Sequence, residues 1–295
     1  MRLFVSFVLL NSMGLPFVKA QAGVPGHGSP DQPVPIYRLT VVQRALQAVN
    51  FQRHSGPTDI DLKGTVLLPK AEGMATVEVK NGYTKIDLHV KHLEPPTQFG
   101  TEFLTYVLWA ISPDGRATNL GEVIADGSDK ATMHITSPYS TFGLLVTAEP
   151  YFSVPYPSEV VVMESSVRRD TVGQVEEVQA KYSLMPRGEY TINIQPSQLP
   201  SAGMQEQHGV SMTQYEATME LYEARNAVQI ARADGAGQFA PDTLNKAQIY
   251  LVKAEALNAK KNFKGVADSA RQAVEAASDA RTIAMRQKTP GEHGQ

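Results

Sequence analysis

Two burial periods divide the chain. From Ile36 to about Ser165, short apolar stretches alternate with polar positions and turn residues at the spacing of a β-sandwich. Val77 and Val79 lead through Asn81-Gly82 into Ile86, Leu88 and Val90. Asn-Gly permits positive φ at both central turn positions, so a hairpin is expected there. Thr101–Ser112, the turn Pro113-Asp114-Gly115, then Leu120–Ile124, Ala131–Ile135, Phe142–Ala148 and Val160–Met163 continue the series, about eight strands in all. After Pro200 the period becomes helical. Ala217, Leu221, Ala224, Val228 and Ala231 form one stripe. Leu244, Ala247, Leu251, Ala254 and Leu257 form a second. A third runs from Phe263 through Val266, Ala270, Ala273, Ala277 and Ala280 to Ala284. Asp234-Gly235 should end the first helix, Pro241 begin the second and Asn262 cap the third. Short connections favour antiparallel neighbours.

One strand departs from the sandwich pattern. Phe103, Val107, Trp109 and Ile111 share one face, and Leu104, Tyr106, Leu108 and Ala110 the other, so both faces are apolar. A central strand is expected, its outer face covered by another part of the chain or by a partner. The alternative is that Tyr106 and Ala110 are tolerated at the surface.

The expected fold class is therefore α+β in two parts: an N-terminal all-β immunoglobulin-like sandwich (36–165) and a C-terminal antiparallel helical hairpin or three-helix unit (203–288). A connector spans 166–202, with a strand-like piece at Tyr190–Ile194 and a Pro-rich exit through Pro196 and Pro200. Residues 289–295 read as a polar tail. At the other end, Arg2, the apolar run Leu3–Leu10, the breakers Gly14 and Pro16 and the small-x-small Ala20-Gln21-Ala22 follow the order of a cleaved signal peptide over 1–22. A Gly/Pro-rich leader occupies 23–35. The run is too interrupted for an uncleaved anchor, and no later window is long enough to span a bilayer. A periplasmic or secreted product without a membrane span is expected.

Composition narrows the chemistry. The 295 residues are 42% hydrophobic, with a formal charge of −3 and no Cys. Loss of Arg2 and Lys19 with the signal moves the charge from −3 to −5. A near-neutral balance lacks the basic footprint of a nucleic-acid binder. Without Cys there is no disulfide framework, thiolate zinc site, cysteine nucleophile or acyl anchor.

The segment Tyr106-Val107-Leu108-Trp109-Ala110-Ile111-Ser112-Pro113-Asp114-Gly115, with Leu120-Gly121 and Thr147-Ala148-Glu149-Pro150, resembles the extracytoplasmic domain of anti-sigma-K factors. That resemblance implies an all-β sandwich outside the cytoplasm. It does not carry sigma binding, which needs a cytoplasmic segment and a membrane span. The helical end resembles the envelope family called "domain of unknown function 4398", through Ala231–Gly235, Phe239–Ala247, Lys253-Ala254-Glu255 and Asn262-Phe263. Such domains look like envelope helical hairpins, often found near peptidoglycan-binding modules. The resemblance implies a scaffold role and no catalytic residues.

Candidate chemistry is sparse. His89-x-x-His92 is the one close histidine pair, but an odd offset on a strand puts the rings on opposite faces, so no metal site is expected. His27, His54, His134, His208 and His293 are scattered. Asp59 and Asp61 share a strand face and read either as a carboxylate pair or as a solvated edge. There is no Gly-x-Ser-x-Gly elbow, and Gly26-His27-Gly28 and Gly235-Ala236-Gly237 lack nucleotide-loop spacing. No catalytic, metal-binding or cofactor-binding residues are expected. Tyr139, Tyr151, Phe152 and Tyr156 cluster among prolines and are the candidate ligand or partner contacts, unless these rings close the end of the sandwich. The expected function is a non-enzymatic exported cell-envelope protein acting as a scaffold or protein–protein interaction module. The alternative is a carbohydrate or peptidoglycan binder using the Tyr-Pro loops.

Overall fold

A computed structural model describes residues 42–51, 56–80, 82–125, 129–182 and 211–288. The signal and leader, Tyr190–Ile194 and the tail 289–295 lie outside them, as does Asn81. Ten strands come first: β1 (Val42–Asn50), β2 (Thr58–Gly64), β3 (Glu72–Lys80), β4 (Tyr83–Lys91), β5 (Thr105–Ile111), β6 (Ala117–Val123), β7 (Ala131–Ser137), β8 (Thr141–Glu149), β9 (Val161–Ser166) and β10 (Gln174–Tyr182). Helices α1 (Met212–Ala233), α2 (Ala236–Phe239), α3 (Pro241–Ala259) and α4 (Phe263–Lys288) follow. The coarse two-part α+β order is therefore present.

The strands form one antiparallel sheet that curls almost shut. Going round it, β6 pairs β5, β5 pairs β8, and the run continues through β9, β2, β3 and β4 to β7. A single bridge between Ala125 and Ala131 brings the end of β6 back to the start of β7. β10 falls inside the segment expected as a connector and pairs with β1 along its length, and β1 joins β8 at Val49 and Asn50. The β3–β4 hairpin has Lys80 opposite Tyr83, with Gly82 at φ 85°, the left-handed geometry a two-residue turn requires.

Alternation decides what the sheet encloses. Ile60 and Leu62, Ala75 and Val77, and Ile86, Leu88 and Val90 point inward and meet Leu108, Leu144 and Val146 from the opposite wall. β5 is buried at every position. Tyr106, Leu108 and Ala110 join the interior, while Val107, Trp109 and Ile111 face out and lie beneath the helices. The doubly apolar strand is thus covered by the chain's own C-terminal end. The alternation does not extend to Phe103 and Leu104, which precede β5. Phe103 packs with the interior cluster and Leu104 lies against Met219 and Tyr222 of α1.

The helix ends obey local rules. Ser211 caps α1 by accepting from Gln214 N at 3.3 Å. Gly235, at φ 90°, follows Asp234, the residue that caps the C-terminal end of α1, and Pro241 sits in the first turn of α3. Asn262 Oδ1 accepts from Gly265 N at 3.2 Å to start α4. Glu220 of α1 and Asp234 just past its end meet Arg271 and Arg281 of α4, so these two helices run in the same sense, and Arg225 reaches back to Glu255 of α3. Alanines at 270, 273, 277, 280 and 284 are buried on α4, which lets backbones approach closely. The described residues of sheet and helices belong to one compact unit.

Candidate functional site

Buried polar side chains between the outward faces of β5 and β8 and the helices form a hydrogen-bonded seam, in which Glu149 Oε2 and Asn226 Oδ1 have no hydrogen-bond partner among the described residues. Trp109 Nε1 donates to Thr147 Oγ1 at 2.8 Å, and Thr147 Oγ1 in turn donates to Glu149 Oε1. Ser158 N donates to the same oxygen at 2.7 Å. Burial pushes the Glu149 carboxyl up to about 8. Nearby, Arg281 Nε donates to Asp234 Oδ2 at 2.5 Å and its Nη1 to Tyr151 Oη at 3.1 Å. Asn226 Nδ2 reaches the carbonyls of Glu102 and Pro150, and Ser278 Oγ donates to the Ser153 carbonyl. These contacts bolt α1 and α4 to the loop after β8.

At one end of this seam a cleft of about 90 Å³ opens between α1 and the strands β5 and β6. Leu93, Pro95, Pro96, Leu104, Ile124 and Met219 supply apolar wall. Its polar lining is acidic: Glu94, Glu122, Glu216, Glu220 and Glu223, with no basic residue among the described lining residues. Positions 216, 220 and 223 recur at helical spacing, so α1 carries three of the five on one face. Glu122 arrives by a different device. Leu108 pairs with Gly121 but Trp109 pairs with Asn119, leaving Leu120 as an extra residue in β6. The bulge reverses the alternation beyond it and sets Glu122 opposite the outward-facing Val107. Gly121 takes φ 125° to make the bend, and Asn119 Oδ1 accepts from its N–H at 2.9 Å.

Arg271 of α4 stands behind the acids. Its Nη2 donates to Glu122 Oε2 at 2.8 Å and to Glu220 Oε1, and the guanidinium lies over the Phe152 ring at 4.7 Å. Glu122 Oε1 also accepts from Thr105 Oγ1 at 2.7 Å, and Glu223 Oε2 from Phe152 N at 2.8 Å. Burial and the neighbouring Glu122 charge push Glu220 up to about 8, against the pull of Arg271. Glu223 is driven well above the usual carboxylate range by burial and by the charges of Glu122 and Glu220. Glu220 is only 5% exposed, and its Oε2 has no hydrogen-bond partner among the described residues. One arginine thus faces three buried carboxyls, and protons held on the carboxyls reduce the imbalance.

Of the residues singled out in the sequence, Phe152 alone touches this acidic cluster. Tyr151 is fully buried under Arg281 and offers no ring to a ligand. Phe152 packs beneath Arg271. Tyr139 is partly buried and its Oη accepts from Thr118 Oγ1 at 3.1 Å, while Tyr156 is also partly buried. His89 and His92 take separate partners, Thr132 and Asp129, and His92 lies past the end of β4. Asp59 accepts from Thr76 and Asp61 meets Arg168; β2 lies between β3 and β9, so these acids are not on an edge. Among the described residues, no group of three His, Asp or Glu side chains is placed to hold a metal ion, and no helix is long and apolar enough to cross a membrane. The acidic cleft was missed because glutamates at helical spacing on α1 read as a solvated face, and the bulge that turns Glu122 has no sequence signature.

No family model, curated protein or solved structure matches the chain.

Proposed function

We propose that this protein is a non-enzymatic, exported cell-envelope protein that acts as a protein–protein interaction module, with the cleft as the point where a partner engages. On this view residues 1–22 are a cleaved signal, the sheet is an immunoglobulin-like sandwich, and the helices are a three-helix unit fused to it. The observation that carries the proposal is the cleft itself, which has apolar walls, an acidic floor and contributions from both layers. Concave, mostly apolar sites with a few convergent polar groups and perturbed carboxyls are where recognition concentrates. What supports binding over catalysis is the use made of the acids: Glu122 and Glu223 hold Thr105, Arg271 and Phe152 in place. The glycan-binding alternative loses the Tyr151 ring to burial and one face of Phe152 to Arg271, leaves Tyr139 and Tyr156 partly exposed, and is not preferred.

The test is a photo-crosslinking side chain at Ile124, which is 43% exposed on the cleft wall. In fractionated cells the expected product is a processed chain crosslinked to one envelope protein. A cytosolic, unprocessed chain, or a processed chain with no adduct, contradicts the proposal.

A further inference from the structure

We propose that the cleft receives a lysine side chain from the partner protein, its methylene stem against Leu104, Met219 and Ile124 and its ammonium against the glutamate floor. This rests on the interaction-module proposal above and names the chemistry that module recognises. The cleft lining points to a cation with an apolar stem. The described lining holds five glutamates and no basic residue. One of these, Glu220, nine-tenths buried, pairs with Arg271 through Oε1 and keeps Oε2 without a hydrogen-bond partner among the described residues. A buried acceptor left unpaired is costly, and a donor that fills it recovers that cost.

The shape fits the same group. A lysine buries its hydrocarbon stem along apolar surface and presents a compact charge with three donors at the tip. Leu104 and Met219 already pack together to form one wall. Arg271 reaches Glu122 and Glu220 from α4, on the helix side, so it neutralises part of the floor. A second cation arriving through the mouth would take the place of protons that the buried carboxyls hold.

Arrival of that charge displaces a proton. Glu220 faces Glu122 from β6, Arg271 from α4, and Glu216 and Glu223 from its own helix, and Glu94 and Tyr106 line the same cleft. A neighbouring ammonium favours its ionised form, so binding releases protons and tightens as pH rises toward 8.

The experiment titrates the mature full chain with Nα-acetyl-lysine methylamide and, in parallel, with the norleucine derivative, which keeps the stem and lacks the charge. The Met219 methyl NMR signal reports binding, and calorimetry in buffers of different ionisation enthalpy counts protons. Met219→Leu assigns the signal. The lysine derivative is expected to shift the Met219 signal, bind at least tenfold more tightly than the norleucine one and release protons at pH 7. Glu220→Gln, close in shape to the protonated acid, should weaken the lysine derivative about tenfold and reduce the release, with Trp109 emission unchanged as the check on folding. Equal binding of the two derivatives, binding without proton release, or no shift at Met219 each overturns the proposal. An Ile124 crosslink that persists without lysine binding would sink this inference alone; lysine binding without any crosslink would sink the interaction-module proposal.

Discussion

Trp109 and Thr147 meet on the outward faces of adjacent strands, the indole N–H donating to the threonine hydroxyl at 2.8 Å beneath the helices. The pair lies where a sandwich normally meets water, and both residues have no exposed surface. Trp109→Ala should cost about 4 kcal/mol through lost burial and the cavity left behind. Trp109→Phe keeps most of the ring but removes the donor to Thr147 Oγ1, which still donates to Glu149, and should cost about 1–2 kcal/mol. Urea denaturation measures both; near-equal losses would mean that the helices pack loosely over β5.

The buried ion pair of Arg281 and Asp234 ties α4 to the end of α1. Arg281→Met leaves Asp234 with little exposure and no counter-charge, and should destabilise by about 3–5 kcal/mol. Adding Asp234→Leu removes the stranded charge and should recover much of that loss. A double-mutant cycle reads the coupling, and strictly additive losses would contradict it.

Stability should fall as pH rises from about 4.5 toward 8. In that window Glu149 and Glu220, both raised to about 8 in the folded chain, keep a proton that the unfolded chain, titrating at 4.5, has already released. The folded state binds more protons, so each group lowers stability by up to about 1.4 kcal/mol per pH unit, and Glu223 acts in the same direction. Glu149→Gln should flatten part of the slope, visible as a Tm that varies less between pH 5 and about 8. A Tm that rises over this range in the unaltered chain would contradict the assignment.

Gly143 sits where β8 passes β1. A Cβ there would lie 2.5 Å from Leu46 Cδ2 and 2.9 Å from the Gln47 carbonyl oxygen. Gly143→Ala should push β1, and β10 with it, off β8 at a cost of about 1–3 kcal/mol. Hydrogen exchange should show protection lost first at Val49 and Asn50; unchanged protection there would mean that the side chain of Leu46 gives way instead.

What was legible in the sequence follows from periodicity. Ile86, Leu88 and Val90 alternate and are one wall of the interior. The stripe from Ala217 to Ala231 repeats helically and is buried in α1. The unbroken run Tyr106–Ile111 announced a strand covered on both faces, and the two halves of the chain supply both covers. β10 was not legible because its sequence, Gln-Val-Glu-Glu-Val-Gln-Ala-Lys-Tyr, carries few apolar residues in alternation and depends on pairing with β1. Tyr151 looked like a loop aromatic, but its ring is taken up by the helices, a long-range contact that local pattern does not encode. The acidic cleft needs the β6 bulge and α1 together, so no single segment contains its signal.

A cleft formed by sheet and helices exists only while the two stay docked. The most direct measurement is hydrogen exchange of the Trp109 indole proton, the chain's one tryptophan, compared with the slowest sheet amides. If the helices are an inseparable cover, that proton should exchange only on global unfolding, at the same free energy as the sheet core. Exchange several kcal/mol cheaper, with Leu88 and Leu144 amides still protected, would mean that the helices lift off a self-sufficient sheet, and the site would not be a standing feature of the fold.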